Sequence, residues 1–213
     1  MDPSDDGWLL QGSADPADVA AYYDEWAQRY DADLELWAYR APGIVADILV
    51  DHVPAAQAVL DAGCGTGRTG RALRNAGYRG DLYGIDVSEE SMAIARRSEA
   101  YTSVAPANLQ EPLPFQGDSF DAVTCVGVMT YVPEVEACWR EFCRIVRPGG
   151  VVVVTQREDL WEQRRCQAVV DRLRDDGVWQ SLWVSDAEPY LPANADFADQ
   201  IGVYYVAARV GSS

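Results

Sequence analysis

A glycine-rich turn follows an apolar run in the first third of the chain. Residues 59–62 read VLDA and residues 63–67 read GCGTG, and a helix-like segment follows them. Glycines in such a turn adopt positive φ and let the backbone approach a ligand closely. A strand, a glycine turn and a helix in this order are typical of nucleotide-binding α/β folds.

Short β-rich runs alternate with helix-like segments after this turn. The alternation favours a parallel sheet with helices on both faces. The clearest helix is predicted over 133–147, where apolar side chains recur at helical spacing until Pro148, and another is predicted over 159–175. The sequence therefore predicts an α/β fold with a mostly parallel seven-stranded sheet. The predicted strands are 58–61, 81–86, 102–107, 120–126, 151–156, 178–184 and 203–210.

Two helices are predicted ahead of the first strand. Residues 1–14 are small and polar and are expected to form a loose tail, followed by helices over 15–30 and 37–52. Apolar and aromatic side chains of the first helix share one face, which is expected either to join the core or to close over a ligand as a lid. That face carries Val19, Tyr22, Tyr23, Trp26 and Tyr30.

No linker or change of composition divides the rest of the chain. We expect one domain, with a tail at 1–14, a helical lid at 15–54 and a core at 55–213, which suits a chain of 213 residues with 48% hydrophobic content.

The acidic balance of the chain limits its partners. Lys and Arg together number 17 against 34 Asp and Glu, a net charge of −17, which would repel nucleic-acid phosphates and anionic membrane surfaces. The five cysteines form no Cys-x-x-Cys pair and there is one histidine, so neither disulfides nor a metal site is expected. No basic leader or long apolar run is present, which favours a cytoplasmic location without membrane insertion. The oligomeric state stays open.

Two acidic residues end the first two predicted strands and separate two possible ligands. The spacing of Gly65, Gly67 and Gly70 also matches the G-x-G-x-x-G pattern of NAD(P)-dependent oxidoreductases. Asp61, however, would repel a pyrophosphate and attract an α-amino group. Asp86 could accept hydrogen bonds from ribose hydroxyls in either class of nucleotide.

The turn and four further landmarks together resemble class I S-adenosylmethionine (SAM)-dependent methyltransferases over roughly residues 20–156. The landmarks are GID at 84–86, LPF at 113–115, SFD at 119–121 and RPGG at 147–150. They are similar to those of the small-molecule branch, which contains quinone-ring and natural-product methyltransferases. The resemblance implies a Rossmann-like fold, SAM as methyl donor with S-adenosylhomocysteine (SAH) as product, and a small-molecule acceptor.

The resemblance also implies roles for individual residues. An acid is common in the family where Asn108 stands, but an amide oxygen can still accept a hydrogen bond from adenine. Tyr30 is the candidate for the methionine carboxylate. The remaining cofactor-binding candidates are Asp61, Ala62, Gly63 and Gly65 for the methionine portion and ribose, Asp86 for the ribose diol, Val87 for the adenine face, and Leu109 and Val126.

The acceptor side is less well specified. Tyr131 follows the fourth predicted strand at the ligand-binding edge and is the candidate catalytic residue, although packing under the next helix is an equal alternative. The Asn/Asp-Pro-Pro-Tyr/Phe turn of enzymes that methylate base or glutamine amino groups is absent, which favours a small uncharged or cationic acceptor. Methyl transfer is an in-line displacement that positioning alone can accelerate, so a general base is optional. A non-enzymatic SAM-binding module stays open as a further alternative, beside the oxidoreductase.

Overall fold

The computed structural model describes residues 7–198 and 200–211. The helices in this part of the chain are α1 (Gly7–Gln11), α2 (Pro16–Leu36), α3 (Ala41–His52), α4 (Arg68–Asn75), α5 (Glu89–Arg97), α6 (Val135–Ile145), α7 (Glu158–Gln163) and α8 (Cys166–Asp175), with a 3-10 turn at Met129–Tyr131. The strands are β1 (Ala58–Ala62), β2 (Asp81–Asp86), β3 (Ser103–Pro106), β4 (Phe120–Cys125), β5 (Val146–Arg157), β6 (Trp179–Val184), β7 (Glu188–Pro189) and β8 (Gly202–Val210).

The strands form one sheet in the order β3-β2-β1-β4-β5-β8-β6. Neighbours from β3 to β5 are parallel, whereas β8 runs antiparallel between β5 and β6. This confirms the predicted Rossmann-like, mostly parallel fold and all seven predicted strands. The two-residue strand β7, which pairs with β8, is additional and carries no apolar alternation from which it could have been predicted.

Both faces of the sheet are covered, which explains why the central strands read as continuous apolar runs. One face packs on α6 and α8 around Trp139 and Phe142, and the other packs on α2 and α3 around Trp26 and Leu49. Strand β4 is buried along its whole length. The carboxyl ends of β1, β2 and β4 therefore meet at one edge inside a well-packed scaffold.

The N-terminal segment is more ordered than its sequence suggested. Gly7–Gln11 is helical where a loose tail was expected, because the Trp8 ring stacks on Tyr22 at 4.6 Å and the Arg157 guanidinium donates to the Leu9 and Leu10 carbonyls. Residues 1–6 of that expected tail lie outside the described residues. Helix α2 also continues to Leu36, beyond its predicted end near residue 30.

The helix predicted over 159–175 is interrupted. Arg165 has a φ of 53°, so α7 ends at Gln163 and α8 begins at Cys166.

Over the described residues, no helix is both long enough and apolar enough to traverse a bilayer. All five cysteines are buried as free thiols.

Candidate active site

A cavity lies at the carboxyl ends of β1, β2 and β4, underneath α2. Open α/β sheets bind ligands at this edge. Its lining combines glycine backbone, apolar side chains, three phenols and one carboxylate. The lining residues are Val19, Tyr23, Tyr30, Gly63, Gly65, Asp86, Val87, Ser91, Ala107, Leu109, Val126, Gly127, Val128 and Tyr131.

Eight of the eleven site residues named from the sequence line this cavity. They are Tyr30, Gly63, Gly65, Asp86, Val87, Leu109, Val126 and Tyr131. Val19 and Tyr23 were not named as site residues, although the sequence placed both on the apolar and aromatic face of α2. Gly127 and Val128 precede Tyr131 in the same loop, while nothing in the local sequence singled out Ser91 and Ala107.

Asp86 ends β2 and is fixed by backbone donors. Its carboxylate accepts hydrogen bonds from the N–H groups of Gly65 at 2.7 Å, Val87 at 2.8 Å and Ser88 at 2.9 Å. Burial raises the pKa of Asp86, and these three hydrogen bonds oppose that rise. A carboxylate offers about four acceptor positions, so the side chain retains capacity for one hydroxyl donor on the cavity side.

Asp61 is not on the cavity wall. It is fully buried, and its carboxylate accepts from Tyr101 Oη at 2.6 Å and from Thr124 Oγ1 at 3.1 Å. Thr124 is its direct neighbour across the β1–β4 ladder. Burial raises the pKa of Asp61 to about 7, and the two hydrogen bonds oppose the rise. The expectation that this carboxylate faces an α-amino group therefore needs correction, because its described partners are internal.

Two other predicted residues also lie off the wall. Ala62 is fully buried in the core beneath the turn. Asn108 turns its side chain back on its own loop, where its oxygen accepts from the Gln110 N–H at 3.0 Å and its amide donates to Glu111. Its neighbour Leu109 takes the place on the wall that the resemblance gave to this segment.

The third glycine of the G-x-G-x-x-G match has an intramolecular explanation. A Cβ at Gly70 would overlap the hydroxyl-bearing edge of the Tyr101 ring. The Tyr101 hydroxyl accepts from the Gly70 N–H at 3.1 Å and donates to Asp61. Gly70 is thus required by a tyrosine beneath the loop, and the pattern gives no support to a pyrophosphate at this position.

Gly65 meets a different requirement. Its φ is +51°, and a Cβ built there has no atom within 4 Å. Its N–H is committed to Asp86. The backbone at this position therefore opens directly onto the cavity, where a ligand can approach it closely.

Helix α2 is fastened over the cavity at two points. Asp24 accepts from Ser88 Oγ at 2.7 Å and from the Glu90 N–H at 3.1 Å, which ties α2 to the start of α5. Two turns further along, Asp31 accepts from Thr66 Oγ1 and Arg71 at 2.5 Å each, which ties α2 to the glycine loop and α4. Tyr23 and Tyr30 line the cavity on this helix.

The residues present fit SAM. Arg68 directly follows the glycine loop, and its Nε is buried without a hydrogen-bond partner among the described residues. Burial raises the pKa of the Tyr30 hydroxyl, and the Arg68 guanidinium lies near enough to oppose this shift. An orphaned cationic donor beside a phenol suits a carboxylate, the free acceptor position of Asp86 suits a ribose hydroxyl, and Val87 and Leu109 offer apolar surface for a planar base.

Comparisons with known proteins agree with this chemistry. The family described as "Methyltransferase domain" matches residues 60–154. Human methyltransferase-like protein 27 is 32% identical over 185 residues, which cover 80% of this chain and 72% of that protein. Demethylmenaquinone methyltransferase of Bacillus licheniformis is 37% identical over 106 residues, 48% of this chain, and the match spans 45% of that relative's length.

A solved structure supports the same fold. The SAM-dependent methyltransferase of Thermotoga maritima superposes with a TM-score of 0.61 at 18% identity, covering 88% of this chain and 97% of that one. The length of the match to the human relative, the landmarks along the chain and the cavity at the sheet edge all indicate one family. The chain belongs to the class I SAM-dependent methyltransferases.

Proposed function

We propose that this enzyme methylates a small molecule bound between α2 and the loop that follows β4. The observation that carries the proposal is a single cavity whose wall includes Asp86 and the glycine loop at one part and Tyr23, Gly127 and Tyr131 at another. The acceptor shares this cavity with the cofactor, which favours a small acceptor.

The cofactor end is assigned from the groups that face it. Asp86 would accept from the ribose diol, and the glycine-loop backbone at Gly63 and Gly65 would lie along the methionine portion. Tyr30 would donate to the carboxylate, with the orphaned Arg68 Nε beside it. Val87, Leu109 and Val126 would form the apolar surface around adenine.

SAM supplies, when bound, a methyl group made electrophilic by an adjacent positively charged sulfur. The task left to the chain is to hold the acceptor in line with that methyl group and to exclude water. Tyr131 and Tyr23 are joined by a hydroxyl–hydroxyl hydrogen bond of 2.9 Å, which closes the cavity between the post-β4 loop and α2. We assign Tyr131, which lines the cavity, to contact with the acceptor. Its role is positioning, because burial raises its pKa and keeps the phenol protonated.

Two general properties of the chain support a small-molecule partner and a cytoplasmic location. The net charge of −17 opposes association with nucleic acid. The five cysteines are free thiols, which supports a reducing, cytoplasmic setting.

The test uses SAM labelled in its methyl group, incubated with the enzyme and a cell extract that is afterwards separated by size. We expect label in the small-molecule fraction, together with SAH binding and no NAD binding by calorimetry. Label confined to protein or nucleic acid would overturn the small-molecule assignment.

A further inference from the structure

Three tyrosines on the cavity wall form one connected cluster. Tyr23 stands at its centre, with ring centroids 5.7 Å from Tyr131 and 5.8 Å from Tyr30, both in edge-to-face geometry. All three line the cavity. Tyr23 and Tyr30 come from α2, whereas Tyr131 comes from the loop after β4, so the cluster spans the two elements between which we place the acceptor.

The cavity wall offers no base for an acceptor that must first lose a proton. Burial raises the pKa of Tyr23, Tyr30 and Tyr131, which keeps all three phenols neutral. The carboxylate on the described wall is that of Asp86, which three backbone N–H groups already hold. The chain contains no lysine, and its one histidine, His52, lies at the exposed end of α3. An acceptor whose lone pair is available without the prior loss of a proton therefore suits this wall best.

The charge of the cavity wall distinguishes anionic acceptors from uncharged ones. No Arg lines the cavity among the described residues, and Arg68, beside Tyr30, is assigned to the methionine carboxylate of SAM, so an anionic acceptor would find no counter-ion of its own. Arg157, a buried guanidinium, is committed to Asp159 and to the Leu9 and Leu10 carbonyls. Ring faces carry negative electrostatic potential and attract cations, a preference that strengthens when water is excluded.

We propose that the acceptor is an uncharged amine and that Tyr23, Tyr30 and Tyr131 form the site for the ammonium group that it becomes. This rests on the proposed function. The amine nitrogen uses its lone pair to form the bond to the methyl carbon, while the carbon–sulfur bond breaks and its electron pair stays on sulfur. The positive charge passes from sulfur to nitrogen, and a proton on that nitrogen is later lost to water. The aromatic cluster stabilises the charge at the position where it arrives.

A matched pair of probes tests the cation preference without knowledge of the natural acceptor. Choline carries a trimethylammonium group, and 3,3-dimethyl-1-butanol has the same shape with a neutral carbon in place of nitrogen. Both are titrated into the SAH-loaded enzyme by calorimetry or ligand-observed NMR. We expect choline to bind about tenfold more tightly, the size of a desolvated cation–π contribution.

Variants at Tyr131 locate the preference. Tyr131→Phe keeps the ring and should keep the preference for choline, whereas Tyr131→Leu removes the ring and should reduce that preference severalfold. Tyr204→Leu, which removes a remote ring on β8, is the control. SAH affinity is also measured for each protein. Loss of SAH binding in a Tyr131 variant speaks against the proposed function, and the proposal of an amine acceptor is then decided by the two probes in the unaltered enzyme. Equal binding of the two probes to that enzyme, tighter binding of the neutral one, or binding of neither overturns the amine proposal.

Discussion

Asp61 and Asp86 end neighbouring strands at the same edge of the sheet, yet their surroundings give them different tasks. Asp86 is held by three N–H donors of the glycine loop and of the turn into α5, and it faces the cavity. Asp61 lies beneath the loop and accepts from two side-chain hydroxyls. The first is placed to contact a ligand, and the second is placed to support the loop that does so.

Replacing Asp86 by Ala should weaken SAH binding by about 1–3 kcal/mol, because the ribose hydroxyl of the ligand and the Gly65 N–H then lack their acceptor. Calorimetry measures the change. Asp171→Ala, on the exposed face of α8, is the matched control and should leave SAH affinity unchanged. An Asp86→Ala protein that binds SAH as tightly as its parent would place the ribose elsewhere.

Asp61 should make stability depend on pH between about 4 and about 7. The unfolded carboxyl titrates near 3.9, whereas the folded one titrates at about 7, so within this window the folded protein holds a proton that the unfolded chain has lost. The free energy of unfolding therefore falls as pH rises through the window and levels off above it.

Asp61→Asn cannot titrate and should lack this decline. Its stability relative to the parent should rise by up to about 4 kcal/mol from pH 4 to pH 7, as three pKa units imply. Urea unfolding at several pH values provides the measurement. Parallel pH profiles for the two proteins would show that Asp61 ionises normally in the folded state.

At the scale of elements, the glycine loop is shaped from below by Tyr101. Gly70→Ala should destabilise the protein by about 1–3 kcal/mol and weaken SAH binding, since the new methyl group must displace the Tyr101 ring or the start of α4. In a Tyr101→Leu background the same change should cost less, because the overlapping ring edge is gone. A double-mutant cycle measures this coupling.

Gly43→Ala is the control for that cycle. Gly43 lies in α3 with no atom within 4 Å of its Cβ position, so alanine there should be neutral or slightly stabilising through helix propensity. Additive effects of the Gly70 and Tyr101 changes would refute the contact.

At the scale of the whole molecule, the sequence predicted most of what depends on order along the chain. The β–α alternation and the five landmarks predicted the sheet, and the strand ends at Asp86 and Val126 located the ligand edge. Side-chain direction at a strand end could not be predicted, because it depends on which neighbours fill the space beneath the loop. Tyr101, distant in sequence from Asp61, decides that its carboxylate points inward.

The role of α2 also depended on information that a helical stripe does not contain. Its spacing was compatible with core or lid, and the helix contributes side chains both to the core and to the cavity wall. Trp26 and Leu34 are 1% and 4% exposed within the core shared with α3, whereas Tyr23 and Tyr30 line the cavity. The two sets lie on adjacent parts of one helix surface, so periodicity alone could not separate them.

Deleting residues 1–36 should therefore prevent folding rather than open the site. The deletion removes Tyr22, Trp26 and Leu34 from a core that also contains Leu49 and Val45 of α3. Loss of one large buried side chain costs about 3–5 kcal/mol, and a domain has about 5–15 kcal/mol of stability in total, so losing all three exceeds what the remaining chain can tolerate. The fragment should lack a cooperative melting transition, and excess SAH should not restore one. Tyr30→Phe, which changes only the cavity side of the same helix, should melt like the parent while binding SAH more weakly. A truncated protein that melts cooperatively would instead make α2 a separable lid and would contradict its place in the core.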